Sequence, residues 1–190
     1  MQVGVTALLD EIDGLLARGP YIVSLYQQKD ASFIPALNAW LLDSEAVLRK
    51  GRRPQVGAIA GVRAQLLSAS HGVYEKANIA VPSTGGPRKI YHAIAALLFD
   101  EAQHTLNDVY SVLLARKEEA GKYVQQMIMI SLQKGSFYPI WNSGLDVSQK
   151  LINLWMSFQA DPDLVQGTRQ VLASVHFAGR IAERRRVPGQ

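Results

Sequence analysis

Apolar residues recur at steps of three and four along nearly the whole chain, and runs of strict alternation are short. That is the period of amphipathic helices, not of half-buried strands. Leu8, Leu9, Ile12, Leu15 and Leu16 mark a first helix, which Gly19 and Pro20 close. Residues 21–28 fit either a helical turn or a short strand. Ser32 offers a cap and Pro35 a first-turn position for a helix running through Trp40, Leu41 and Leu48 to Gly51. The next helix is expected from Pro54 to near Asn78. Its Gly57, Gly61, Ala64 and Ser68 follow one line, a small-residue ridge that predicts close approach of a neighbouring helix. After a loop over 81–87, a long helix is expected from about Arg88 to Glu119, with continuation past Gly121 into 127–132 left open until Gly135 breaks it. A further helix over 143–159 should bury Leu151, Leu154, Trp155 and Phe158. Asp161, Pro162 and Asp163 then start a last helix reaching about Arg186. No repeat of 20–50 residues is visible. The expected fold is all-α: an antiparallel bundle of about six or seven helices, with 1–190 as a single domain and 1–30 as a candidate peripheral segment.

Composition narrows the chemistry more than it selects it. The 190-residue chain has no cysteine, which removes disulfides, zinc-thiolate sites and thiol catalysis and favours an intracellular setting. Asp10, Glu11 and Asp13 argue against a secretory leader. No apolar run approaches the ~20 residues of a membrane span, so a cytoplasmic location is expected.

Charge changes the picture most. The net +4 conceals alternating blocks. Residues 1–48 hold two Lys/Arg against six Asp/Glu, and 49–89 hold eight against one. Residues 90–163 hold five against eight, and 164–190 hold five against one. Such asymmetry bears on partners rather than on fold. Arg49, Lys50, Arg52 and Arg53 close one helix, where cations complement the dipole. Arg88 and Lys89 fall in a first helical turn, where cations are disfavoured by about 0.3–1 kcal/mol each and an anion would be welcome. The Ser83–Lys89 loop lacks the spacing of a Walker phosphate loop. If helix 54–79 separates the two clusters, at ~1.5 Å per residue they stand nearly 40 Å apart, which suits a polymer of phosphates better than one small anion.

The last helix carries Arg169, His176 and Arg180 along the border of its apolar face, with Arg184, Arg185 and Arg186 following. The run Arg169-Gln-Val-Leu-Ala-Ser-Val-His176 is similar to the Arg-x(4–6)-His motif of HEPN ribonucleases, with Phe177 where that family typically has a small residue. The resemblance covers under a tenth of the chain. It implies metal-independent RNA cleavage by paired protomers, with His176 moving a proton and Arg169 holding the scissile phosphate.

Among the acidic residues, Glu101-Ala-Gln-His104 has the Glu-x-x-His spacing of ferritin-like di-iron bundles, but no second copy exists. Asp100, His104 and Asp108, at steps of four, could hold a metal loosely, though a surface hydrogen-bonded row is the more ordinary reading of that spacing. Glu101 lies among Ile94, Leu97, Leu98 and Val112 on the helical wheel. It should therefore seek a partner such as Arg63 or Arg169 across the bundle. No metal or cofactor is implied.

These features lead to an expected function: a non-enzymatic helical subunit that contacts nucleic-acid backbone within a larger assembly. Arg49, Lys50, Arg52, Arg53, Arg88, Lys89, Arg180, Arg184, Arg185 and Arg186 are its phosphate-facing residues. In size, helicity and charge the chain resembles the small basic subunits of RNA-guided CRISPR effector complexes. Two alternatives stand beside it: the HEPN-like ribonuclease, and a homo-oligomeric scaffold or protein-binding adaptor using the Gly57/Gly61 ridge or exposed aromatics.

Overall fold

A computed structural model describes residues 4–73 and 86–176. They form an all-α helical bundle with no strand among the described residues. In chain order the helices are α1 Val5–Ala17, α2 Gly19–Gln27, α3 Phe33–Lys50, α4 Val56–Ser70, α5 Pro87–Gln133, α6 Phe137–Trp141, α7 Val147–Ala160 and α8 Val165–His176. The ambiguous 21–28 stretch is helical. Pro20 sits in the first turn of α2, where its missing N–H costs nothing, so Gly19 and Pro20 open a second helix instead of only closing the first. Contacts fall into two compact units, 1–113 and 114–190, with the boundary inside α5.

In the first unit α3 packs against α1, α2 and α4. Phe33, Leu37, Trp40, Leu41 and Leu48 of α3 are buried, as are Leu8, Leu9, Ile12 and Leu15 of α1 and Ile22 and Leu25 of α2. Residues 5–27 thus contribute core side chains. Trp40 packs edge-on against Phe99, with ring centroids 5.1 Å apart, and its indole Nε1 donates to the Leu15 carbonyl at 2.8 Å. That bond satisfies the buried indole N–H on a carbonyl at the end of α1 that also accepts from the Arg18 N–H. Gly51 is required by space: a Cβ there would stand 2.6 Å from Leu8.

Three expectations change here. Ser32 precedes α3 without a side-chain cap; the Asp30 carboxylate instead accepts from both the Ser32 N–H and hydroxyl, each at 2.7 Å. Helix α4 stops at Ser70, well short of Asn78, because Gly72 takes a left-handed conformation (φ 75°) and the Val73 N–H returns to the Ser68 carbonyl. Its 15 residues make a rod of about 22 Å, not 40. Nor does the small-residue ridge pack. Gly57, Ala64 and Ser68 are exposed, and a Cβ on Gly57 or Gly61 would meet nothing within 4 Å.

The second unit contains the C-terminal part of α5, then α6, α7 and α8. Helix α5 continues past Gly121 as one 47-residue helix and ends at Gly135 (φ 74°). Its core is small: Met127, Leu154, Phe158 and Leu164, flanked by Val124, Ile128, Phe137, Trp155 and Val171. Asp146 caps α7 by accepting from the Gln149 N–H at 3.0 Å. Asp161 accepts from the Asp163 N–H and receives Lys134 at 2.7 Å, with Asp163 holding the same ammonium. Leu151, expected in the core, is 55% exposed. Ile152 at 53% and Met156 at 61% join it on the outside of α7.

Candidate nucleic-acid interface

The end of α2 places the first element of the site. The Asp30 N–H returns to the Leu25 carbonyl at 2.9 Å and the Lys29 N–H to the Tyr26 carbonyl at 3.0 Å, which puts Lys29 in the left-handed region at φ 56°. Helices α4 and α5 end on the same six-to-one hydrogen bond with glycine at this position, Gly72 and Gly135. Helix α3 ends on it with Arg52 (φ 52°). A side chain in this region costs about 1 kcal/mol, which glycine avoids. Two of the four turns therefore hold a cation where a glycine would be less strained. The neighbouring Asp30 is committed to Ser32, whose backbone and hydroxyl hydrogen bonds hold its carboxyl below the ordinary range.

The start of α5 supplies the rest. Arg88 and Lys89 lie exposed in its first turn, and no acid accompanies them there. Together with Lys29 they line one cleft of about 760 Å3, whose other walls are Tyr26, Gln27, Gly86, His92 and Ala93. All of these belong to the first unit. Among the described residues no carboxylate pairs with Lys29, Arg88 or Lys89. Phe33, buried beneath the cleft, packs against Tyr26 at 5.3 Å and against His92 at 5.7 Å. Burial first, and then the charge of Arg88, hold the His92 imidazole below its ordinary value, so the ring is neutral at neutral pH.

The other expected phosphate ligands are placed differently. Arg49 is bonded to Glu45, and Lys50 to Glu11. Arg63 donates Nε to the same Glu45 at 3.1 Å. Arg52 is exposed and Arg53 half-buried. Within 49–53, Arg49 and Lys50 are thus engaged in ion pairs, the second of which ties α3 to α1, while Arg63 ties α4 to α3 through Glu45. Arg180, Arg184, Arg185 and Arg186 lie outside the described residues. Arg169 is exposed on α8, and the helical backbone carries its line to His176 seven residues on.

Glu101 is exposed, and it does not meet Arg63. The apolar wheel neighbours that made it look buried, Leu97 and Val112, are themselves 48% and 52% exposed. The true core line of α5 in this unit is Ile94, Leu98, Ala102, Leu106, Val109 and Leu113. Among the described residues the buried carboxylate is Glu45, 6% exposed. Burial pushes its pKa up, and the hydrogen bonds and charges of Arg49 and Arg63 together outweigh that, leaving it lowered. His104 Nδ1 sits 2.8 Å from the Asp100 carbonyl, and no group of three or more metal-ligating side chains assembles among the described residues.

The sequence singled out Arg88 and Lys89 but did not connect them with Lys29, Tyr26 and His92, which line the same cleft. Nothing in a one-dimensional pattern brings the end of α2 to the start of α5. No described helix is long and apolar enough to cross a membrane. Comparison with known proteins finds no matching family model, curated protein or solved structure.

Proposed function

We propose that this chain is a non-enzymatic, cytoplasmic helical subunit that holds nucleic-acid backbone in the cleft between α2 and α5 and works inside a larger assembly. One observation carries the reading: three cations from two distant chain segments, none paired with an acid among the described residues, line one concave site. Elsewhere in the first unit Arg18, Arg49, Lys50 and Arg63 are each joined to a carboxylate. A fold that neutralises those cations internally and leaves three beside one another presents a place for external negative charge.

Membership of an assembly is supported by the second unit. Leu151, Ile152 and Met156 stand exposed on α7, and the exposed polar residues near them on the helix, Ser148, Gln149 and Gln159, are uncharged. Such a surface offers phosphate no counter-charge and fits an apolar helix of a protein neighbour. The two surfaces suit two different kinds of partner.

The test is binding of labelled single- and double-stranded RNA and DNA across a salt titration. Contact with three phosphates of a single strand predicts that log K falls with log[salt] at a slope of roughly −2. Absence of binding at low salt, for the chain alone and for any complex that co-purifies with it, contradicts the proposal.

A further inference from the structure

The cleft is more than a patch of charge, and its remaining walls bear on which form of nucleic acid enters it. Resting on the phosphate-binding reading above, we infer that the site takes an unpaired nucleotide of a single strand: the phosphates sit on Lys29, Arg88 and Lys89, and the base lies against Tyr26 and His92.

Three features support this. First, the cleft is concave and about 760 Å3. That volume is enough for one small organic group, and the cleft is open to solvent on one side, so a base on a flexible single strand can reach it. A base already paired inside a helix cannot enter without being flipped out; an unpaired one enters freely. Second, the cations share the cleft with aromatic rings. Single strands are held by backbone charge together with stacking on aromatic faces, which tolerates any base because every base has a π-face. Third, the rings are set in place before any ligand arrives. Phe33, 1% exposed, touches Tyr26 and His92 from beneath, and Tyr91 packs against His92 at 6.4 Å. A braced wall loses little freedom on binding. His92, neutral at neutral pH, offers an uncharged ring face and a ring nitrogen, and the Gln27 amide at the rim carries both donors and acceptors for a base edge.

Lys29 allows an unusually clean test. Replacing it with glycine removes the charge while relieving the left-handed backbone, so the variant should melt no lower than the wild type. Binding is measured for a labelled ten-nucleotide RNA, the DNA of the same sequence, the matching duplex, and inorganic polyphosphate as a chain of phosphates without bases. The inference predicts that the single strands bind at least ten-fold more tightly than the duplex or polyphosphate. Comparison of the RNA and DNA arms then reports which sugar the site prefers. Lys29→Gly should weaken every ligand. Tyr26→Leu, which keeps an apolar cover over Phe33, should weaken the single strands five- to fifty-fold and leave polyphosphate unchanged. His92→Phe should retain single-strand binding and His92→Leu should lose it, which keeps the question open to decision if the Tyr26 variant unfolds.

Single-strand affinity that is indifferent to the loss of both rings, or duplex bound as tightly as single strand, overturns the inference and leaves the phosphate-binding proposal standing. Equal weakening of single strand and polyphosphate by Tyr26→Leu also overturns it, since the ring would then be acting on the shape of the site. No binding by any ligand overturns both.

Discussion

At the scale of single residues, Glu45 and the two left-handed cations carry the clearest consequences. Glu45 is the acceptor that Arg49 and Arg63 share. Glu45→Gln should destabilise the chain by about 1–2 kcal/mol in urea unfolding, moderated because both guanidinium groups retain access to water. The sign of the acid response follows from its lowered pKa. The contribution is complete above the ordinary value of 4.5 and is lost as pH falls through the lower folded value. Unfolding curves of wild type and Glu45→Gln should therefore converge below pH 4.5. A stability gap that widens on acidification would contradict the assignment. Arg52→Gly should raise stability by up to about 1 kcal/mol, as Lys29→Gly should, because both relieve a left-handed side chain. The sequence suggested that one carboxylate would have to find a partner across the bundle, but it pointed to Glu101 instead of Glu45. A helical wheel shows which residues share a stripe, not which of two apolar stripes faces the core. The Arg63 that satisfies Glu45 lies on another helix, 18 residues on.

At the scale of elements, periodicity gave most helices and local turn chemistry set their limits. Helix α3 ran as expected, from just after Ser32 to Gly51. Helix α4 did not, because the apolar pattern beyond Ser70 is outweighed by a glycine that reverses the backbone. The ridge on α4 teaches a similar lesson. Small residues permit close approach without requiring it, and here the line faces open space at Gly57 and Gly61. Gly57→Ala and Gly61→Ala should each raise stability by about 0.5–1 kcal/mol through helix propensity alone, read as an increase in melting temperature. A drop in stability for either would reveal a neighbour at the ridge. For α7 the wheel gave the right helix and misassigned Leu151, since a helix with apolar residues on more than one face does not announce which face is covered. Leu151→Gln combined with Met156→Gln should leave the fold intact, because both side chains already stand in water. If α7 joins a protein partner, the pair should release it, visible as a shift to smaller size on gel filtration of the co-purified complex.

At the scale of the whole molecule, the alternating charge blocks were legible from the start, and their destination was not. The basic block at 49–89 divides once folded. Arg49, Lys50 and Arg63 are joined to acids from α1 and α3 at the surface, while Arg88 and Lys89, like the exposed Arg52, have no carboxylate partner among the described residues. Lys29, one of two cations in an acidic block, joins them because α2 ends where α5 begins its exposed first turn. Counting charges along the chain weighs all cations equally, whereas folding sorts them into those spent on the structure and those left for a ligand.

That sorting is the central claim, and a paired neutralisation tests it most directly. Two variants are compared for single-strand affinity at fixed low salt: Lys29→Gln with Arg88→Gln and Lys89→Gln, and Arg49→Gln with Lys50→Gln. The account predicts that the first loses binding by at least a hundred-fold with its melting temperature unchanged, while the second melts lower and binds within about three-fold of wild type. Equal loss from both variants, or greater loss from the second while it remains folded, would contradict it.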